Sequence, residues 1–231
     1  MPLQGRRNTI RSEMVIDTLS VGLPKKEVLY GRELTTGICK TPVLGLLRLG
    51  KTGFEGDGVG DPRYHGGPNK AVCVYSRDHY PYWEAVLGIR MPAAAFGENL
   101  TVAGLHEEEV CIGDIFGLGT AVVQVSQPRQ PCRTLAARFG REDMVQLVKD
   151  SGRTGFYLRV LEEGSVGQGD ALVLRERDER GVAVSFANHI RYHDRSNCPG
   201  IGRVLSVPAL SESWQRFFQE LQEKCREGHG A

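Results

Sequence analysis

The sequence predicts a mainly β protein, a β-barrel with a few helices, followed by a small all-α unit of three helices at the C-terminus. Three observations lead there. Short runs rich in β-branched residues recur between glycine-rich punctuation through most of the chain. The 29 glycines concentrate between those runs, at 53–60, 66–67 and 113–119, which suits sharply bent strands better than a doubly wound α/β sheet. After Arg175 the texture changes, first to a charged stretch and then to helical periodicity.

Taken in order, residues 1–12 read as an exposed N-terminal arm. Arg6-Arg7 imitates a twin-arginine start, but Asn8-Thr9-Ile10-Arg11 follows in place of an apolar stretch of about 7–15 residues. The barrel spans 13–175. Its strand signals are Val43 to Leu47, Ala71 to Tyr75, Val110-Cys111-Ile112 and Ala121 to Val125, and Asp114 and Asp170 each close a Gly-Asp turn before a strand. Helical spacing marks His79 to Leu87 and Arg133 to Lys149, the second broken at Gly140. Between them, Ser126-Gln127-Pro128-Arg129-Gln130-Pro131-Cys132-Arg133 carries two prolines, so the chain is expected to leave the preceding strand at Val125 and deliver Cys132 to a helix start. The helical unit covers 176–231: a stretch around Ser185 to Arg191, a turn-rich segment through Pro199-Gly200, and a last helix with Trp214, Phe217, Phe218, Leu221 and Cys225 on one face, capped by Ser211 or Ser213.

The chain of 231 residues carries 29 Lys plus Arg against 28 Asp plus Glu, a net charge of +1. That balance lacks the electrostatic footprint of a duplex-binding or membrane-surface protein, so no stable nucleic-acid partner is expected. No run approaches the roughly 18 apolar residues of a membrane span. The six cysteines stand at 39, 73, 111, 132, 198 and 225 with no C-x-x-C pair, which argues against a structural zinc site and for a reducing, cytoplasmic setting. Cys39, Cys73, Cys111 and Cys225 read as small buried hydrophobes.

Cys132 stands apart. A helix N-terminus and the flanking Arg129 and Arg133 each favour the anionic sulfur over the thiol, whose ordinary pKa is about 8.5. Other segments carry polar chemistry that turns alone also explain: Thr36-Gly37-Ile38-Cys39-Lys40, Gly53 to Asp61, His65-Gly66-Gly67-Pro68-Asn69-Lys70 and Phe96-Gly97-Glu98-Asn99-Leu100. Paired glycines let a ligand approach main-chain N–H groups, and a nearby lysine supplies charge. The glycine-rich stretch at 53–60 is neither a Walker loop nor a dinucleotide fingerprint.

In that order these segments, with Ile112-Gly113-Asp114, Gly155-Phe156-Tyr157-Leu158-Arg159 and Gly169-Asp170, resemble a MOSC domain (molybdenum cofactor sulfurase C-terminal domain) of the YiiM type, and the stretch from Leu205 to Arg216 resembles the three-helix appendage of that subfamily. The resemblance implies a barrel that binds the molybdenum cofactor, with Cys132 as both metal ligand and catalytic residue. It makes Lys40, His65, Lys70, Arg129 and Arg133 candidates for the cofactor's phosphate and pterin, Gly66 and Gly67 backbone donors, and Asn99 a pterin-edge contact. Asp57 and Asp61 read as loop-ordering acceptors. The activity implied is reduction of N-hydroxylated compounds such as 6-hydroxylaminopurine to amines. Since the chain carries no flavin, haem or iron–sulfur motif, electrons come from a separate reductase, a flavoprotein; a homodimer is compatible with the pattern. Two other readings stay open: a cofactor carrier or sulfur-transfer module working through a Cys132 persulfide, and an interaction domain docking through its helical tail.

Overall fold

The structure, a computed structural model, describes residues 14–228, so the expected arm at 1–12 lies outside the described residues. Its strands are β1 (Val15–Val21), β2 (Lys25–Leu29), β3 (Arg32–Thr36), β4 (Thr41–Pro42), β5 (Leu46–Gly50), β6 (Gly53–Phe54), β7 (Val72–Ser76), β8 (Leu100–Ala103), β9 (Ile115–Leu118), β10 (Ala121–Pro128), β11 (Phe156–Glu162), β12 (Gly164–Gly167) and β13 (Leu172–Glu176). Its helices are α1 (Tyr80–Leu87), α2 (Arg133–Phe139), α3 (Met144–Ser151), α4 (Val184–Tyr192), α5 (Cys198–Leu205) and α6 (Glu212–Gly228).

Eight strands form one curled sheet in the order β13-β9-β10-β11-β7-β8-β1-β4. Every pair is antiparallel except β7 with β8, whose crossover carries α1. The curl closes on itself because the chain entering β13 bonds back to β1: Ile16 donates to the Asp170 carbonyl at 2.9 Å, and Leu172 to the Met14 carbonyl at 2.7 Å. Alternate residues of these strands fill the interior, among them Leu19, Val74, Leu100, Val123, Phe156 and Leu158, all with no solvent exposure. The same apolar cluster continues into the helical unit through Ile190, Val204, Trp214 and Phe218. At about 1.5–3 kcal/mol for each large apolar side chain removed from water, that continuity holds the three helices against the barrel.

Several elements differ from the sequence reading. The run Val43 to Leu47 becomes a strand only from Leu46, with Leu44 left 86% exposed. Val110 to Ile112 makes a single antiparallel bridge, Cys111 with Ala183, rather than a strand. β10 does not stop at Val125: a register shift between Val125 and Gln127 re-aims the strand, which then runs on to Pro128 paired with Phe156. A proline is tolerated there because it ends the strand. The turn-rich segment at Pro199-Gly200 is the first turn of α5, with Pro199 in its opening positions and the Asn197 side chain accepting from the Gly200 N–H at 2.8 Å. Gly140, in the left-handed region at φ 62°, ends α2 where a break was expected.

The cysteine reading also needs correction. Cys73 and Cys111 are buried, but Cys39 is half-buried, and Cys225 is paired with Cys198 in a disulfide that ties α5 to α6 across 27 residues. This pairing runs against the reducing setting inferred from cysteine spacing. A cross-link closing a loop of that length contributes about 2–4 kcal/mol, mainly by restricting the unfolded chain. The double variant Cys198→Ser/Cys225→Ser is therefore expected to lose about that much stability in urea titrations under oxidising conditions. Adding a reductant should bring the native chain down to the variant; identical midpoints in oxidising buffer would show that the bond is not formed.

Candidate functional site

A cleft of about 1050 Å³ opens beside the end of β10. Its walls come from the loop after β3, the glycine-rich segment after β6, β7, and the Arg129 to Cys132 link into α2. Two of those walls touch through glycine: a Cβ on Gly37 would collide with the Gly58 carbonyl, so only the bare backbone lets the two loops meet.

Cys132 is the residue immediately before α2, in extended conformation at φ −125° and ψ 166°. Burial pushes its thiol up, but a hydrogen bond with His65, the Arg129 charge and the Leu135 N–H outweigh burial and bring it down to about 6. At pH 7 it is mostly thiolate. The principal stabilising partners are thus Arg129 and His65, whereas Arg133, expected to share the task, is exposed at the cleft rim. His65 owes its place to Asp61, whose carbonyl accepts from the His65 N–H at 3.0 Å. The Asp61 carboxylate is clamped by Arg63 at 2.8 and 3.0 Å, which drops it to about 2.

Arg129 is 5% exposed. Its Nη2 donates to the Phe96 carbonyl at 2.6 Å and its N–H to the Gly155 carbonyl at 3.0 Å. Nη1 is buried with no protein partner. A buried guanidinium donor left unpaired is costly, so this atom marks a place where an acceptor belongs. Burial works against its charge, which the neighbouring Cys132 and Glu98 favour.

Lys40 and Asn99 line the cleft, but neither is free. Lys40 Nζ is ion-paired with Asp57, the two side chains being 6% and 11% exposed. Asn99 donates to Asp57 Oδ2 at 2.8 Å and accepts the Cys73 N–H at 3.0 Å. Asp57 also takes the Gly22 N–H at 2.9 Å. The triad joins the end of β1, the loop after β3 and the start of β8, so Lys40 and Asn99 line the cleft while each is also held by Asp57. Lys70 is half-buried and its Nζ donates to the Tyr64 carbonyl at 2.7 Å, leaving donors to spare. Gly66 and Gly67 sit at φ 76° and 82°, consecutive left-handed residues beside Lys70, and Gly67 faces open space.

Tyr157, Cys73, Gln127 and Ser213 also line the cleft and were missed as site residues. Period-two alternation along Phe156, Tyr157 and Leu158, with the first and third in the core, was the available signal for Tyr157. Ser213 had none, because the end of the chain comes to the cleft only through tertiary packing. Among the described residues no group of three or more His, Cys, Asp or Glu is placed to hold a metal ion. Among them, too, no helix is long and apolar enough to cross a membrane.

A MOSC domain model matches residues 61–173, and a YiiM-like, 3-alpha helix domain model matches 182–223. YflK of Bacillus subtilis (strain 168) is 53% identical over 207 residues, 90% of this chain and 94% of that one. The crystal structure of YiiM from Geobacillus stearothermophilus superimposes with a TM-score of 0.79 at 42% identity, covering 90% of this chain and 99% of that one. A protein named Reductase from Gibberella moniliformis (strain M3125 / FGSC 7600) is 38% identical over 167 residues, 71% of this chain but 29% of its own length. With both domain models matched in order and two relatives covered over nearly their whole length, the chain belongs to the YiiM group of MOSC-domain proteins.

Proposed function

We propose that this protein holds the molybdenum cofactor in the Cys132 cleft and reduces N-hydroxylated compounds, 6-hydroxylaminopurine among them, to amines. The observation that carries the reading is a thiolate-forming Cys132 beside a buried guanidinium whose Nη1 lacks a partner, in a cleft of about 1050 Å³. The residues fit such a group. A soft thiolate at Cys132 suits a molybdenum ion whose other ligands arrive with the cofactor. Arg129 Nη1, the spare donors of Lys70 and the Gly67 backbone would meet the anionic phosphate and pterin; Lys40 and Asn99 would act through Asp57 by holding the walls in place.

When bound, the cofactor supplies a two-electron reduction in which R–NH–OH, two electrons and two protons become R–NH₂ and water. The chain orients the substrate, and His65 keeps the Cys132 sulfur anionic. A separate reductase, a flavoprotein, would deliver the electrons, since the sequence carries no flavin, haem or iron–sulfur motif. The fungal relative whose name is Reductase, most of whose length lies outside the match, supports a redox setting for this domain.

The deciding assay is anaerobic conversion of 6-hydroxylaminopurine to adenine by protein produced in a cofactor-competent host, with a chemically reduced viologen as donor. Turnover proportional to molybdenum content is expected. No turnover, together with a persulfide trapped on Cys132, would replace the reductase reading with a sulfur carrier.

A further inference from the structure

The C-terminal helical unit reaches the cleft. Ser213, in the first turn of α6, lines it beside Gln127 of β10 and Tyr157 of β11, and those two strand residues are register partners. The turn is held in place: Ser211 donates its N–H to the Ser126 carbonyl at 3.0 Å, Arg159 Nη2 donates to the Ala209 carbonyl at 2.7 Å, and Trp214 is fully buried. α6 thus stands on the stretch of β10 that leads directly to Arg129 and Cys132.

These three side chains differ chemically from the groups that act on Cys132. His65 and Arg129 act on Cys132, and Lys70 lines the same cleft; these groups suit an anionic ligand. Gln127, Tyr157 and Ser213 are neutral, and burial pushes the Tyr157 phenol up so that it keeps its proton. The hydrogen bonding of Gln127 and Ser213 is also incomplete. Gln127 is 1% exposed; its Nε2 donates to the Pro128 carbonyl at 3.2 Å, but Oε1 receives only the Ser213 hydroxyl at a long 3.4 Å. That hydroxyl's other contact, Ser211 Oγ, is 3.3 Å away, and Ser213 itself is exposed. A buried amide oxygen so weakly served gains by accepting from a ligand N–H, and a loosely held hydroxyl turns to donate to a ligand nitrogen at little cost. Beyond them, the unpartnered Arg129 Nη1 lies on the same cleft.

We propose that the first turn of α6, through Ser213 with Gln127 and Tyr157, forms a selectivity wall that binds the donor and acceptor edge of a neutral nitrogen heterocycle of the aminopurine type. The inference rests on the reductase reading for its chemistry, but the binding it describes is independent of turnover. It gives the helical unit a role in the site: the barrel supplies the thiolate and the cationic groups, and the helices supply discrimination between a heterocycle and a small N-hydroxyl compound.

The test uses cofactor-loaded protein, with all values expressed per molybdenum. Calorimetric titration with adenine, the amine product, is compared for wild type, Ser213→Ala and Ser213→Phe. Removing the hydroxyl is expected to weaken adenine about fivefold, and the bulky ring should abolish detectable binding. In turnover, the ratio of kcat/KM for 6-hydroxylaminopurine to that for N-hydroxyurea should fall at least tenfold in Ser213→Phe. Wild type that does not bind adenine, or variants that bind it as wild type does, would overturn the wall; so would an equal loss on both substrates. If adenine binding is lost in Ser213→Phe while wild type reduces neither substrate, the wall stands and the reductase reading fails.

Discussion

Cys132→Ser is expected to strip the protein of molybdenum and of all N-hydroxyl reduction. Serine offers a hard hydroxyl with no accessible anion in place of a soft thiolate, so the proposed protein ligand to the metal disappears. Metal analysis of wild type and variant purified from the same cofactor-competent host reads the result directly, and molybdenum retained at wild-type stoichiometry in the variant would sink the ligand assignment. Apoprotein gives a second reading. Alkylation of Cys132 by iodoacetamide should rise with pH around a midpoint near 6, the value to which His65, Arg129 and the Leu135 N–H bring the thiol against the opposing effect of burial. Those groups favour the deprotonated form, so removing one raises the midpoint. His65→Ala should move it toward the ordinary thiol value of about 8.5 and slow alkylation at pH 6.5. Peptide mapping isolates the signal, since burial holds Cys73 up at about 11 and pushes Cys111 up as well. An unchanged midpoint in His65→Ala would show that the histidine does not poise the sulfur.

The largest expected loss of stability comes from Asp57→Ala. Three partners depend on that carboxylate: the Lys40 ammonium, the Asn99 amide and the Gly22 N–H. Because Lys40 and Asp57 are almost fully buried, removing the anion leaves an uncompensated charge in a low-dielectric site, a change that costs about 3–5 kcal/mol. Urea titration measures it. The double variant Lys40→Met/Asp57→Leu should lose less than Asp57→Ala alone, because no buried charge is left behind. A loss under about 1 kcal/mol in Asp57→Ala would show that the pair is solvated and worth no more than a surface bridge. The cleft loops are expected to loosen with it, since Asp57 joins the loop after β3 to β1 and β8.

Much of the fold was legible because it follows local chemistry. Ala71 to Tyr75 and Ala121 to Val125 became strands, Tyr80 to Leu87 a helix, and Gly140 a break. The exceptions have physical causes. β2 and β3 form an exposed two-stranded hairpin with mixed charged and apolar residues, so no alternation announced it. β10 ran past Val125 because a register shift let it carry a terminal proline that the local rule excludes. The Cys198–Cys225 pair escaped notice because two cysteines 27 residues apart show no short spacing, and only the antiparallel return of α6 along α5 brings them together.

The sequence by itself determined the barrel, the helical end and the helix-start position of Cys132, since glycine punctuation, the prolines before α2 and the periodicity of α6 act over a few residues. Only the tertiary structure decided what surrounds the sulfur. It joined His65 to Cys132, bound Lys40 and Asn99 to Asp57, left Arg129 Nη1 unpartnered and placed Ser213 in the cleft. Charge and hydrogen-bond partnership depend on distances across strands and loops far apart in the chain, where a lysine can serve a ligand or a buried aspartate, and composition is the same in either case.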